Sequence, residues 1–259
     1  MPPIFDTHAH YDDGAFDEDR ETLLAELPKA GVARVVNVGS SLAACRRTLA
    51  LMERYDYIYG AIGVHPSDSA ELDETQFAWL KEACTHEKCV AVGEIGLDYY
   101  WDEPDREIQK KWFVRQLELA RALHKPVVIH SREAAKDTID LMQAAKAEEI
   151  GGVIHCYSYT KETAKIFLDM GFYFGIGGVL TFKNAKKLKE AVAYIPMEKI
   201  VLETDCPYLA PVPFRGKRNC SLYIPHVIDE LAQIKGISPE DVRKQAWTNA
   251  HNLYRIKVM

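Results

Sequence analysis

The stretch Ile4-Phe5-Asp6-Thr7-His8-Ala9-His10 decides how the rest of the chain is read. A short apolar start that runs into ligand-type side chains suits a strand ending at a polar site. His8 and His10 stand two residues apart, so in an extended strand both rings project to one face and can approach one ion. Seven further short runs rich in β-branched or aromatic residues follow, at 34–39, 57–64, 90–94, 127–130, 152–155, 172–176 and 200–204. Amphipathic stretches with helical spacing lie between them, at 20–29, 42–55, 74–84, 106–123, 134–146, 161–170 and 185–193.

Near-continuous apolar strands such as Val127-Val128-Ile129 suit a parallel sheet covered on both faces, and strict strand–helix alternation points to βαβ units. Eight such units predict an α/β fold, a (β/α)8 TIM barrel over residues 1–259 as one domain, with its site at the C-terminal face. The positions of the polar residues support the closed barrel over an open sheet. The first run ends in His8 and His10, preceded by Asp6. The third leads into His65-Pro66, the fourth into Glu94 and later Asp98, the fifth into His130, the sixth into His155 and the eighth into Asp205. In a parallel barrel these strand ends share one face, so residues far apart in sequence converge. Chance H-x-H pairs are common, and a lone strand-end histidine is usually a satisfied structural residue. Ligand types at so many strand ends are a different matter.

The 259 residues are 47% hydrophobic and 27% charged, an ordinary globular balance. A net charge of −6 excludes a bulk nucleic-acid coat, because such affinity comes from neutralising phosphates. No apolar run reaches the roughly 18 residues of a spanning helix, so no membrane partner is expected. The N-terminus lacks signal-peptide features. Six dispersed cysteines (45, 84, 89, 156, 206, 220) read as reduced thiols of a cytoplasmic protein, with Cys84 and Cys89 too isolated to make a metal site. Ser238-Pro239-Glu240-Asp241 reads as a helix N-terminus, Pro28 as a last turn or kink, and 207–213 as a shaped loop.

Imidazole and carboxylate together suit Zn²⁺, Mn²⁺, Ni²⁺ or Fe²⁺. Four histidines and two carboxylates exceed what one tetrahedral zinc needs. Two divalent ions sharing a carboxylate are the natural solution, about 3.5–4 Å apart.

Taken together, Phe5-Asp6-Thr7-His8-Ala9-His10, Gly63-Val64-His65-Pro66, Gly93-Glu94-Ile95-Gly96-Leu97-Asp98-Tyr99, Ile129-His130-Ser131-Arg132, His155-Cys156-Tyr157-Ser158 and Leu202-Glu203-Thr204-Asp205-Cys206-Pro207-Tyr208-Leu209 resemble the TatD family of metal-dependent deoxyribonucleases. The likeness runs in order to Asn249-Ala250-His251. It implies a (β/α)8 barrel of the amidohydrolase superfamily with a divalent metal site, Mg²⁺, Mn²⁺ or Zn²⁺, and DNase activity, often 3′–5′ on single strands. By position it implies that His8, His10, Glu94 and Asp205 hold one ion. Glu94 would bridge to a second ion on His130 and His155, and His65 would line the pocket toward a substrate phosphate. One motif departs: where the family usually reads Arg-Gly-Lys-Arg-Asn-Glu, this chain has Arg215-Gly216-Lys217-Arg218-Asn219-Cys220. What that acid does is missing or supplied elsewhere.

The expected mechanism is attack by a metal-acidified water, with Asp205 as general base and Glu94 as the second catalytic residue. Arg132, Arg215, Lys217 and Arg218 are candidate phosphate contacts, although loop charges are usually just solvated surface. Lys183, Lys186, Lys187 and Lys189 read as the wet face of a helix. Tyr99, Tyr100 and Trp101 could stack bases or simply pack. Cys156 and Cys206, each beside a proposed ligand, should point away into the core by strand alternation. The predicted partner is single-stranded DNA. Two alternatives stand beside it: hydrolysis of a small amide, lactone or phosphoester, which would not need the basic loop 215–218, and a non-catalytic metal-stabilised binding protein, which would not need Asp205.

Overall fold

Runs such as Val127-Val128-Ile129 are buried on both faces, and that is possible only where a parallel sheet is covered outside and filled inside. The computed structural model describes residues 2–257. Its strands are β1 (Ile4–Ala9), β2 (Val32–Val38), β3 (Ile58–Ile62), β4 (Cys89–Asp98), β5 (Val127–Arg132), β6 (Gly152–Ile154), β7 (Tyr173–Ile176) and β8 (Ile200–Leu202). They pair in parallel in sequence order. The ring closes between its first and last strands through the Ala9–Cys206 bridge and through bonds from the Asp205 N–H to the His8 carbonyl (3.0 Å) and from the His10 N–H to the Cys206 carbonyl (2.9 Å). This is the (β/α)8 barrel.

A helix follows each strand: α1 (Arg20–Glu26), α2 (Leu42–Arg54), α3 (Glu74–Ala83), α4 (Arg106–Ala122), α5 (Ala135–Ala144), α6 (Lys161–Asp169), α7 (Lys186–Tyr194) and α8 (Ile224–Lys235), with α9 (Pro239–Tyr254) added at the end. Side chains cap several of their starts, and the one read from the sequence, Ser238, is among them. Ser41 accepts from the Ala44 N–H, Asp73 from Gln76, and Ser238 from Asp241 with Pro239 at the first helical position. Pro28 lies beyond α1 in a short turn of its own.

Two apolar clusters follow from the alternation of side chains along the strands. The larger lies between strands and surrounding helices. The smaller takes Phe5, Val36, Val38, Ala61, Val128, Val153 and Val201 from the strands and Ala250, Leu253 and Tyr254 from α9, but nothing from α1–α8. It therefore fills the barrel interior, with α9 as the plug of the N-terminal end. Tyr254 donates to the Thr7 carbonyl (2.8 Å), which leaves only the opposite, C-terminal mouth open. Among the described residues no helix is long and apolar enough to cross a membrane, and the six cysteines are free thiols.

Strand lengths differ from the sequence expectation where the site begins. β4 continues past Glu94 to Asp98, while β6 and β8 stop at Ile154 and Leu202. Cys156 and Cys206 thus lie outside strands, and alternation does not govern them. Cys206 is nonetheless buried; Cys156 has a φ of 45° and is partly exposed, correcting the expectation of a core residue.

Candidate metal centre

The long strand β4 carries Glu94 to the centre of the mouth, where the carboxylate is buried and its two oxygens face different histidines. Oε2 lies 3.5 Å from His8 Nε2 and 3.9 Å from His10 Nε2. Oε1 lies 2.7 Å from His130 Nδ1 and 3.2 Å from His155 Nε2. Asp205, three residues beyond β8, closes the first group with Oδ1 3.3 Å from His10 Nε2 and 3.6 Å from His8 Nε2. The placement of His130 depends on Gly96, its ladder partner: a Cβ there would stand 1.9 Å from the His130 carbonyl oxygen, at a φ of +148° that side chains rarely adopt.

Second partners orient these rings. His10 Nδ1 is 2.8 Å from the Val38 carbonyl. A carbonyl only accepts, so Nδ1 holds the proton and the Nε2 lone pair faces inward. Asp98 Oδ2 is 3.0 Å from His130 Nε2, and Asp98 Oδ1 accepts from the N–H groups of Tyr100 and Trp101. His155 Nδ1 lies 3.4 Å from Glu203 Oε1, an oxygen that accepts from the Cys156 N–H. The His8 and His155 rings stack with centroids 3.7 Å apart.

Charge follows the same geometry. Burial works against ionised Glu94, yet the His155 charge and hydrogen bonds from His130, His155 and His8 outweigh it and hold the carboxyl well below its usual range. Burial likewise opposes ionised Asp205, and His10, His155 and His8 prevail to keep it low. His65 is different. Burial and the neighbouring His130 push it down to about 3. Its Nδ1 accepts from the Ser67 N–H (3.1 Å), leaving the proton on Nε2.

These residues fit divalent ions. Two imidazole nitrogens on one zinc at about 2.05 Å stand roughly 3.3 Å apart in tetrahedral geometry, and His8 Nε2 and His10 Nε2 are 3.1 Å apart. Ligand atoms of His8, His10 and Glu94, of His8, His155 and Asp205, and of Glu94, His130 and His155 each gather within 4.8 Å. A further group, His65, Asp98 and His130, adjoins them.

The family model described as TatD related DNase matches residues 5–255. This chain belongs to the TatD family. It is 42% identical over 253 residues to the uncharacterized metal-dependent hydrolase YabD of Bacillus subtilis (strain 168), covering 98% of this chain and 99% of that one. It is 33% identical over 256 residues to YcfH of Escherichia coli (strain K12), named in the same words, covering 98% and 96%. The crystal structure of YJJV, a TatD homolog from Escherichia coli K12, superposes with a TM-score of 0.92 at 29% identity, covering 98% of both chains. The chain is a TatD-family metal-dependent hydrolase.

Above the candidate ligands of this TatD-family chain opens a cavity of about 570 Å³. His65 and Arg132 line it; the Arg132 guanidinium carbon lies over the Tyr100 ring, 3.7 Å from its centroid. Four other sequence candidates do not. Tyr99 turns outward, donating to Asp137 (2.7 Å) beneath the Arg106 guanidinium. Arg215 stacks on Phe182, Lys217 lies near Phe214, and Arg218 forks onto Asp19 at 2.6 and 2.8 Å. Tyr99, Arg215 and Arg218 found partners far away in sequence and Lys217 one within its own loop, so the basic loop is absent from the cavity wall. Cys220 is buried among apolar residues, and the one strong acid contact of its motif is Asp19 on Arg218.

Sequence reasoning passed over Asp12, Arg47 and Tyr208 on the cavity wall, and Glu203 behind His155. Asp12 had a signal, continuing the alternation from His8 and His10. Arg47 lies on α2, and nothing in its sequence surroundings marked it.

Proposed function

We propose that this chain is a divalent-metal-dependent phosphodiesterase that shortens single-stranded DNA from its 3′ end. His8, His10, Glu94 and Asp205 would hold one ion, and Glu94, His130 and His155 a second. The observation that carries the two-ion site is the division of Glu94, one oxygen toward each pair of histidines. The family description favours DNA, and Arg132, Arg47 and His65 on the wall suit phosphate. Such ions supply an acidified water and neutralise charge on a phosphate oxygen.

The side chains do the rest. Asp205, the more open of the two carboxylates, takes the proton of the attacking water on an oxygen facing the cavity. The water oxygen bonds to phosphorus, the P–O bond to the leaving sugar oxygen breaks, and Asp205 returns the proton to that oxygen. His65 donates from Nε2 to a non-bridging oxygen, and as a neutral donor it works without titrating near pH 7. A small phosphate ester is the second reading, favoured by a cavity of this size without the basic loop. Release of label from 3′-labelled single-stranded DNA with Mg²⁺, Mn²⁺ or Zn²⁺ tests the proposal; no metal-dependent release, with turnover of a small phosphodiester, transfers the site to the second reading.

A further inference from the structure

Two large aromatic side chains stand uncovered at the mouth of the cavity, where burial would be the default. Trp101 is 65% exposed and Tyr208 55%, and both line the cavity above the ligands. Trp101 follows β4 and Tyr208 follows β8. In a ring ordered β1 to β8 these strands are diametrically opposite, so the two rings flank the metal centre from opposite sides instead of sandwiching one group.

Both are held in place. The N–H of Trp101 donates to Asp98 Oδ1, whose other oxygen meets His130, and its ring stands edge-on to Tyr100, itself covered by Arg132. The Tyr208 hydroxyl donates to Asp13 Oδ2 (3.1 Å), and its N–H to the Asp205 carbonyl (2.9 Å). Trp101 is thus tied through Asp98 to the His130 side chain, and Tyr208 directly to the backbone of Asp205. Among the described residues the wall carries only two guanidinium groups, and that of Arg47 is engaged by Asp12. With so few cations, phosphate contacts are few, and stacking is left to supply the grip.

We propose that the cavity binds a splayed dinucleotide unit, with the scissile phosphate at the Glu94 centre, one flanking base on Trp101 and the other on Tyr208. This rests on the phosphodiesterase reading above and deepens it: the substrate is engaged through the two nucleosides astride the cut bond, whatever the bases are. Stacking is sequence-tolerant because every base has a π-face.

The test uses the metal-loaded enzyme and short single strands carrying an abasic residue on one side or the other of the scissile phosphate. On intact strands Trp101→Ala and Tyr208→Ala should each lower kcat/KM by about 5- to 150-fold, and Trp101→Phe and Tyr208→Phe should restore most of it. The Trp101→Ala penalty should collapse on one abasic strand, and the Tyr208→Ala penalty on the other. Penalties that persist in full on both abasic strands, or that vanish with the same lesion, overturn the proposal. Both positions are exposed, so the variants keep the fold. A wild-type enzyme that cuts no DNA speaks against the phosphodiesterase reading alone, and binding then decides. Quenching of tryptophan fluorescence by the dinucleotide TpT, lost in Trp101→Phe and weakened in Tyr208→Ala, supports the splayed site; no quenching in the wild type overturns it.

Discussion

Replacing Asn219 by alanine should disable the chain without touching a metal ligand. Asn219 is buried behind the segment that carries Asp205 and Tyr208. Its Nδ2 donates to the Thr204 and Tyr208 carbonyls, both at 2.8 Å, and its Oδ1 accepts from the Cys220 N–H at 2.9 Å. The amide thereby clamps both ends of the turn on which Asp205 sits. Three such bonds are worth about 0.5–1.5 kcal/mol each, so their loss costs roughly 3 kcal/mol. For a chain of this size that lowers Tm by about 6–12 °C. The turn also loosens, and a displacement of about 1 Å at a reacting group can cost on the order of 100-fold in rate. Asn219→Asp sharpens the test, since it keeps the acceptor for Cys220 but turns an oxygen toward two carbonyls; it should fall at least as far. Thermal unfolding followed by circular dichroism, with kcat/KM on the best phosphodiester substrate, measures both effects. A Tm within 2 °C of wild type together with unchanged turnover would refute the clamp.

The other expectations concern the centre and its surroundings. Asp205→Asn should keep the fold and lose about 10²–10⁴-fold in kcat; full activity would remove Asp205 from proton transfer. Arg218→Ala should change kcat/KM by less than about three-fold, because its guanidinium serves Asp19 and not the cavity; a large loss would show that this loop swings onto the substrate. Gly96→Ala should cost about 2–5 kcal/mol in stability through the left-handed φ and the clash with the His130 carbonyl, and a wild-type denaturation midpoint would contradict that packing.

How far the sequence could be read follows a physical boundary. Strand ends obey a rule of topology: parallel strands of one barrel finish on one face, so Glu94, His130, His155 and Asp205 had to come near His8 and His10 once the alternation was recognised. Loops obey no such rule. Tyr99 was drawn outward by Asp137, Arg215 by Phe182 and Arg218 by Asp19, partners whose proximity exists only after folding. Tyr208 shows the converse. It follows Asp205 by three residues and reads as loop packing, yet closure of the ring sets it opposite Trp101. Cys220 shows how an apparent defect can be local, since its side chain lies in apolar surroundings away from the ligand cluster.

The account turns on Glu94 as the carboxylate shared by two ions. Metal content and titration of the purified protein, by elemental analysis and calorimetry, should give two divalent ions per wild-type chain, with binding weakened at both positions in Glu94→Gln. One ion per chain, or two that Glu94→Gln leaves equally tight, would contradict the shared site.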